Sequence, residues 1–457
     1  MHPIRVLAAL AALAALLALS AVRPAAAQSV RSDLATDSTV SASWRLANGL
    51  EVRTRHLPRA AGVAITLAVR AGHGYEPAGL EGLADLLAEL HFMSAAGPFA
   101  ERTRAELASV RPLGTEVRVN HAYARFTELV TTTQVPGALA HFAARLGSPT
   151  VTEASLKTAI AEVRRESGAR YYGGSADVLY WRAGAFAAGD DDVTLLRRAG
   201  LTGPARMSAK DAAARLAAWY QPGGAVLAVA GDLSGLDLRV LVEATFGRLA
   251  SGSGLPDTVT VRAAAGRATA SVLRGIAAPA GVVAASTPAV TDSLHPGFFL
   301  GMLVTGASLN QAWGAPPAGT PARFQYALLD DPEVIRFYPP VPPEASEPAA
   351  LTTVLDNTLY EVGSRIVMKS ILDRMRYSVR WLMGGSIPDE LVQRMQRDAG
   401  GLGTLAAGMA GRAVWKGDAF WADYLARFDR LSVGHANYYD WLRDPSHQTV
   451  LLLTPAR

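Results

Sequence analysis

Residues 63–92 read VAITLAVRAGHGYEPAGLEGLADLLAELHF. The first seven, Val63 to Val69, are apolar apart from one Thr and rich in β-branched side chains, as in a strand buried on both faces. Gly72, Gly74 and Pro77 break that run. From Leu80 to Phe92 the period changes. Leu83, Leu86, Leu87 and Leu90 recur at helical spacing and fall on one side of a helix. Strand, glycine-rich loop and helix in direct succession indicate helices packed on a sheet.

The same alternation extends in both directions. Upstream, Ser43 to Leu46 and Leu50 to Thr54 flank Asn48-Gly49, a dipeptide suited to the positive φ of a hairpin turn. Downstream, Val117 to Val130 is strand-rich, and Val135 to Leu146 and Ser155 to Gly168 read as helices. Ser208-x-x-Asp211 is a capping box that opens a helix running to Tyr220. Gln221-Pro222-Gly223-Gly224 stops it, the buried strand Ala225 to Ala230 follows, and a last helix reaches Phe246. Residues 251–267 are rich in Ser, Gly, Pro and Ala and read as a linker. Beyond it, Trp441-Leu442-Arg443-Asp444-Pro445 and the apolar run after it echo Trp219-Tyr220-Gln221-Pro222 and its strand. The two prolines are 223 residues apart (445 − 222), which points to an internal duplication of long period. Tyr338 to Pro343 is too proline-rich for regular structure and reads as an extended loop.

The chain has 457 residues, half of them hydrophobic, so its length suits two or more domains. There is no Cys, which excludes thiolate metal sites, thiol nucleophiles and lipoprotein anchoring. The net charge is +4 and the basic residues are scattered. Without a basic stripe interleaved with aromatics, nucleic-acid binding is not expected. Residues 1–27 have a short polar start, an apolar run from Val6 to Val22 and an Ala-x-Ala site before Gln28, the pattern of a signal peptide. The mature protein is expected to be exported, periplasmic or secreted, with no membrane span.

Several blocks resemble the pitrilysin/insulinase family of zinc metallopeptidases. Leu46 to Val52 looks like the family's opening hairpin. Ala68 to Gly72 and Glu76 to Ala84 look like the strand and loop that lead into its zinc-binding helix. Trp219 to Leu233, followed by Phe246 to Leu249, is similar to the end of its first lobe. The resemblance is strong before residue 250 and looser after it. It implies an α+β fold of two homologous lobes, each a mostly antiparallel sheet with helices packed on it, joined by a linker around a peptide chamber. The lobes would span 40–250 and 268–457.

The family's chemistry needs His-x-x-Glu-His on a helix: two imidazoles one turn apart for zinc, and a Glu as general base. A Glu on a later helix completes the ligands. Here the matching positions are Asp85, Ala88 and Glu89, with Glu162 as the later Glu and Glu166 as the other register. His91, two residues past Glu89, points away from the Asp85/Glu89 face. A methyl group cannot accept a proton, and loss of a general base costs a factor of about 10² to 10⁴. No catalytic residue and no zinc are therefore expected. Two readings of the acidic stripe Glu81, Asp85 and Glu89 stand side by side: a solvated helix face, or, with Glu162, a carboxylate set for a harder cation.

The resemblance also implies substrate contacts. Peptides would add as a strand near Glu116 to Tyr123, with Asn120 and Ala122 as contact residues, unless that stretch is an interior strand. Tyr326 would be the second-lobe Tyr, although Arg323 lies closer to it than the family spacing allows. Tyr171, Tyr172, Tyr180 and Trp181 line a chamber or pack a core. The functional expectation is a non-catalytic subunit paired as a heterodimer with a zinc-bearing homologue and contacting extended peptides. The alternatives are a metallopeptidase with an altered carboxylate site and a stand-alone periplasmic peptide-binding pseudoenzyme.

Overall fold

The computed structural model describes residues 40–455, apart from positions 112, 148, 174–176, 258, 260–265, 274–277, 315, 317–321, 329–330, 364–372, 374, 377–378, 382–386 and 432–437. The signal-peptide segment 1–27 and most of 258–265 in the linker lie outside the described residues.

The strands are β1 (Val40–Arg45), β2 (Glu51–His56), β3 (Val63–Val69), β4 (Ala95–Ala96), β5 (Thr115–Val119), β6 (Ala124–Val130), β7 (Pro149–Thr150), β8 (Ala225–Gly231), β9 (Arg267–Leu273), β10 (Ala280–Ser286), β11 (Phe324–Ala327), β12 (Asp331–Phe337) and β13 (Gln448–Pro455). In the first half the helices are α1 (Leu83–Met93), α2 (Arg104–Val110), α3 (Val135–Gly147), α4 (Glu153–Tyr172), α5 (Asp177–Ala187), α6 (Asp192–Gly200), α7 (Ala209–Trp219) and α8 (Leu238–Phe246). In the second they are α9 (His295–Trp313), α10 (Ala349–Gly363), α11 (Asp389–Met395), α12 (Gly400–Val414), α13 (Gly417–Asp429) and α14 (Tyr439–Arg443). Local chemistry sets several of these limits. The Ser208/Asp211 capping box opens α7 as the sequence suggests, and Thr103/Glu106 forms another at α2. The Asn48-Gly49 hairpin is real but longer than a two-residue turn. Leu46 to Leu50 make the loop, and Gly49 takes φ 95°, which only Gly adopts freely.

Two sheets carry the same wiring. The first has the order β1-β2-β8-β3-β6-β5 and the second β11-β12-β10-β13-β9. In each, one parallel pair (β2 with β8, β9 with β13) sits beside antiparallel neighbours. The registers also match. Across the first sheet Val119, Ala124, Val69 and Ala225 lie in one row. Across the second the row is Tyr326, Ile335, Ala285 and Gln448. Ala225 and Gln448 open equivalent strands 223 residues apart (448 − 225), the separation of the two prolines. The fold is therefore α+β with two homologous lobes, and Tyr326 is the counterpart of Val119.

Strand periodicity explains how the lobes join. Along β3 and β8, Val63, Ile65, Leu67, Leu227 and Val229 face the first lobe's own helices, while Ala64, Ala68, Ala228 and Ala230 face the other way. That alanine face is covered by α12, from the second half of the sequence. In return, Leu179, Ala183 and Phe186 of α5 pack on Val282, Ala284, Val334 and Leu451 of the second sheet. The linker divides the strands between the sheets but not the helices. Each lobe's sheet is sealed by a helix from the other, so apolar burial itself holds the lobes together. Polar contacts add to it, among them Arg53 to Asp418 at 2.5 Å and Arg336 Nε donating to the Tyr180 carbonyl at 3.0 Å. Among the described residues, no helix is long and apolar enough to cross a membrane.

Candidate functional site

Helix α1 is buried along its whole length. Its N-terminus is capped from the loop before it: Glu76 Oε1 accepts from the Gly82 and Ala84 amides, both at 3.0 Å, and Oε2 binds Arg198 at 2.8 Å. A carboxylate at that end satisfies free amides and complements the helix dipole. Glu76 is thereby committed to structure.

The acidic stripe is not a solvated face. Asp85 is 8% exposed and Glu89 is fully buried, because α4 and α2 cover that side and supply cations. Asp85 Oδ2 lies 3.0 Å from His73 Nε2, and Oδ1 lies 3.3 Å from Arg170. Burial alone would raise the Asp85 carboxyl. His73, Arg170 and Arg198 outweigh it and hold the group well below the usual carboxylate range. For Glu89 the balance runs the other way. Burial raises its carboxyl even though Arg104 opposes the shift. Arg104 Nε donates to Glu89 Oε2 at 2.8 Å, a second guanidinium nitrogen binds the same carboxylate, and Nη1 lies 2.9 Å from Glu166 Oε1.

Glu166, not Glu162, therefore faces α1. Val163, Glu166, Ser167 and Arg170 recur at helical spacing and, with Asp85, Ala88, Arg104 and edge residues Val117 and Val119, enclose a gap of about 10 Å³. That is at the lower limit for one water molecule. Glu162 lies one turn away and is paired with Arg165, Nε to Oε2 at 3.0 Å. His91 does point away from this site. It is buried between Phe126 and Tyr220, at 4.4 and 4.7 Å between ring centroids.

The gap lies behind β5, which is an edge strand and not an interior one. Leu129 donates to the Gly114 carbonyl and Asn120 donates to that of Tyr123. The even-numbered residues of β5 thus face β6, and the amides of Thr115, Val117 and Val119 face the free edge. Beside this edge opens a cleft lined by His73, Arg118, Asn120, Tyr180 and Trp181 from the first half and Arg336 from the second. Tyr171, Tyr180 and Trp181 line this cleft, Tyr171 from within a buried apolar cluster on which Trp181 packs, while Tyr172 is 39% exposed.

No protein-family model matches the sequence, and no curated protein matches it. Solved structures do match. A protease from Helicobacter pylori has 16% identity and TM-score 0.68 over 91% of this chain and 99% of its own. The periplasmic protease PqqL from Escherichia coli has 14% identity and TM-score 0.62, with 91% of this chain covering 47% of that one. A peptidase M16 inactive domain from Pseudomonas fluorescens has 14% identity and TM-score 0.58 over 92% of this chain and 98% of its own. The chain has the M16 peptidase fold.

The M16 fold of the active peptidases implies zinc, and the residues here do not fit it. At the positions that the sequence resemblance matches to the metal motif, the chain offers the carboxylates of Asp85 and Glu89 and the methyl group of Ala88, with no imidazole between them. The carboxylates are already matched to cations of the chain itself. Nor do Asp85, Glu89 and Glu162 converge on one point as a carboxylate metal site would require. Among the described residues, the set whose ligand atoms lie within 4.8 Å of one another is His73, Glu76 and Asp85, and each of these is engaged as described above.

The remaining expected contacts divide. The Asn120 side chain accepts from the Ala122 and Tyr123 amides at 2.9 and 2.7 Å, shaping the β5–β6 turn. Ala122 is buried in the core. Tyr326 is 6% exposed and its hydroxyl lies 2.7 Å from His295 Nε2, while His295 Nδ1 lies 2.6 Å from the Tyr424 hydroxyl. It belongs to the interior of the second lobe, not to a substrate surface. Sequence reasoning missed His73, Arg104 and Arg170. Arg170 carried a signal, four residues after Glu166 on one helical face. Arg104 carried none.

Proposed function

We propose that this chain is a non-catalytic insulinase/pitrilysin-like protein of the cell envelope, the substrate-binding or regulatory subunit of a zinc-bearing homologue, and that it works without zinc. One observation carries the reading: Glu89 is buried and closed off by Arg104, and the resemblance sets Ala88, which cannot accept a proton, at the position of the general base beside it. A site with no base, and with a guanidinium between its carboxylates, has no means of activating water. The free edge of β5 and the cleft beside it support peptide binding, because strand addition needs backbone amides and no catalytic side chain. Export is supported by the signal-peptide pattern and by the likeness to a periplasmic protease.

The test is native purification of the tagged full-length protein from the envelope fraction, with co-eluting proteins identified by mass spectrometry. A stoichiometric M16-fold partner with an intact His-x-x-Glu-His is the expected result, and the pair should cleave peptides that the isolated chain only binds. A chain that emerges alone and cleaves peptides by itself would overturn the proposal.

A further inference from the structure

We infer that Arg104 is the resident cation of this lobe: its guanidinium holds together the buried Glu89 and the partly exposed Glu166, carboxylates that in the metal-bearing M16 fold would face a metal ion. The inference is independent of any partner, because it concerns how the lobe is held together.

Three observations carry it. First, Glu89 is fully buried, and an ionised carboxylate there is strongly unfavourable without a charged, hydrogen-bonding partner. Arg104 is that partner. Second, the guanidinium uses two edges at once. Nε and one terminal nitrogen take Glu89, while Nη1 takes Glu166 on a different helix. A planar fork can bridge two carboxylates in this way, whereas an ammonium acts as a point charge. Arg104 therefore ties α1, α2 and α4 together, as an ion with ligands from several elements would. Third, its delivery is built in. Arg104 is the first residue of α2, directly after the Thr103 cap, and Thr103 is fixed reciprocally by Glu106. The chain carries its cation covalently and has nothing to lose to a chelator.

Thermal unfolding of the full chain, with EDTA or with millimolar Mn²⁺ as the only probe ion, tests this. The wild-type midpoint should be indifferent to both. Arg104→Ala should unfold several degrees lower and recover part of that loss with Mn²⁺, since Glu89 and Glu166 are then exposed to an ion that oxygen ligands suit. Arg104→Lys should fall between the two. If Arg104→Ala does not fold, Arg104→Ala/Glu89→Gln decides, because removing the orphaned charge should restore folding and abolish any response to Mn²⁺. A wild-type midpoint that rises with Mn²⁺ would overturn the inference. So would an Arg104→Ala protein that is as stable as wild type, or one that is destabilised but blind to Mn²⁺, and so would a double variant that stays unfolded.

Discussion

The hydroxyl of Tyr123 lies so close to Gly411 that a Cβ on the glycine would fall 2.5 Å from it. Tyr123 belongs to the turn between β5 and β6 in the first lobe, and Gly411 to α12 in the second half of the chain. This contact is one close approach of the exchanged helix to the lobe whose sheet it seals. The alanines on that face of β3 and β8 make the approach possible, because larger side chains would hold the helix away.

Gly411→Ala should destabilise the protein by about 1 kcal/mol. Helix propensity favours Ala by about 1 kcal/mol, but overpacking a filled interior costs roughly 1–3 kcal/mol. In a Tyr123→Phe background the obstructing oxygen is gone and the nearest ring carbon lies 3.1 Å from the added Cβ, so the same change should cost less than in the wild type. Denaturant unfolding of the four proteins in the cycle measures the coupling, and additive effects would refute the contact.

Peptide binding at the β5 edge predicts a contrast between neighbouring prolines. Val117 directs its amide outward, so Val117→Pro removes a donor for an added strand and leaves the β5–β6 ladder intact. One lost backbone bond, about 1–1.5 kcal/mol, is about tenfold in Kd. Arg118→Pro removes a ladder bond instead and should lower the melting temperature. Fluorescence anisotropy with a labelled disordered peptide, alongside thermal unfolding, separates the two. Equal binding by wild type and Val117→Pro would exclude this edge.

Asp85 links stability to pH. Its folded carboxyl is held well below the usual range, so the ionised form favours the folded state. That stabilisation is fully present above the unfolded value of about 3.9 and is lost as the pH falls from there toward the folded value. Asp85→Asn should be less stable than wild type near neutral pH, by on the order of 2 kcal/mol for a buried and hydrogen-bonded pair. The difference should shrink below about pH 4. Melting temperatures of both proteins across the acid range check this, and a gap that widens with acidity would contradict it.

Tyr326→Phe should leave peptide affinity unchanged and lower stability by about 1–3 kcal/mol, because it strips a partner from the buried His295. Had Tyr326 touched substrate, the substitution would weaken binding and barely alter the melting temperature. Calorimetric unfolding and the same anisotropy assay distinguish these outcomes.

Much of the fold was legible before any coordinate. Val63 to Val69, the helix from Leu83, the Ser208/Asp211 cap and the echo of Pro222 in Pro445 are local signals, because strand period, helix period and capping depend on residues close in sequence. The resemblance that sets Ala88 at the position of the general base was equally readable, since it rests on one helical segment. The environment of that motif was not. The stripe Glu81, Asp85, Glu89 has the spacing of a solvated face, and spacing cannot say what lies opposite. Register on α4 was likewise undetermined between Glu162 and Glu166 until a neighbouring helix gave that face a direction.

By itself the sequence determined two α+β lobes and a helix that carries Asp85, Ala88 and Glu89 and no His-x-x-Glu-His, because hydrophobic period and side-chain chemistry are properties of short segments. Only the tertiary structure decided that α5 and α12 exchange lobes, that β5 is an edge, that Tyr326 is buried with His295, and that Arg104 closes the carboxylates of α1 and α4. Arg104 meets Glu89 from 15 positions further along the chain, and Gly411 meets Tyr123 across most of the chain. Such contacts are selected by the burial of whole faces, which no local pattern encodes.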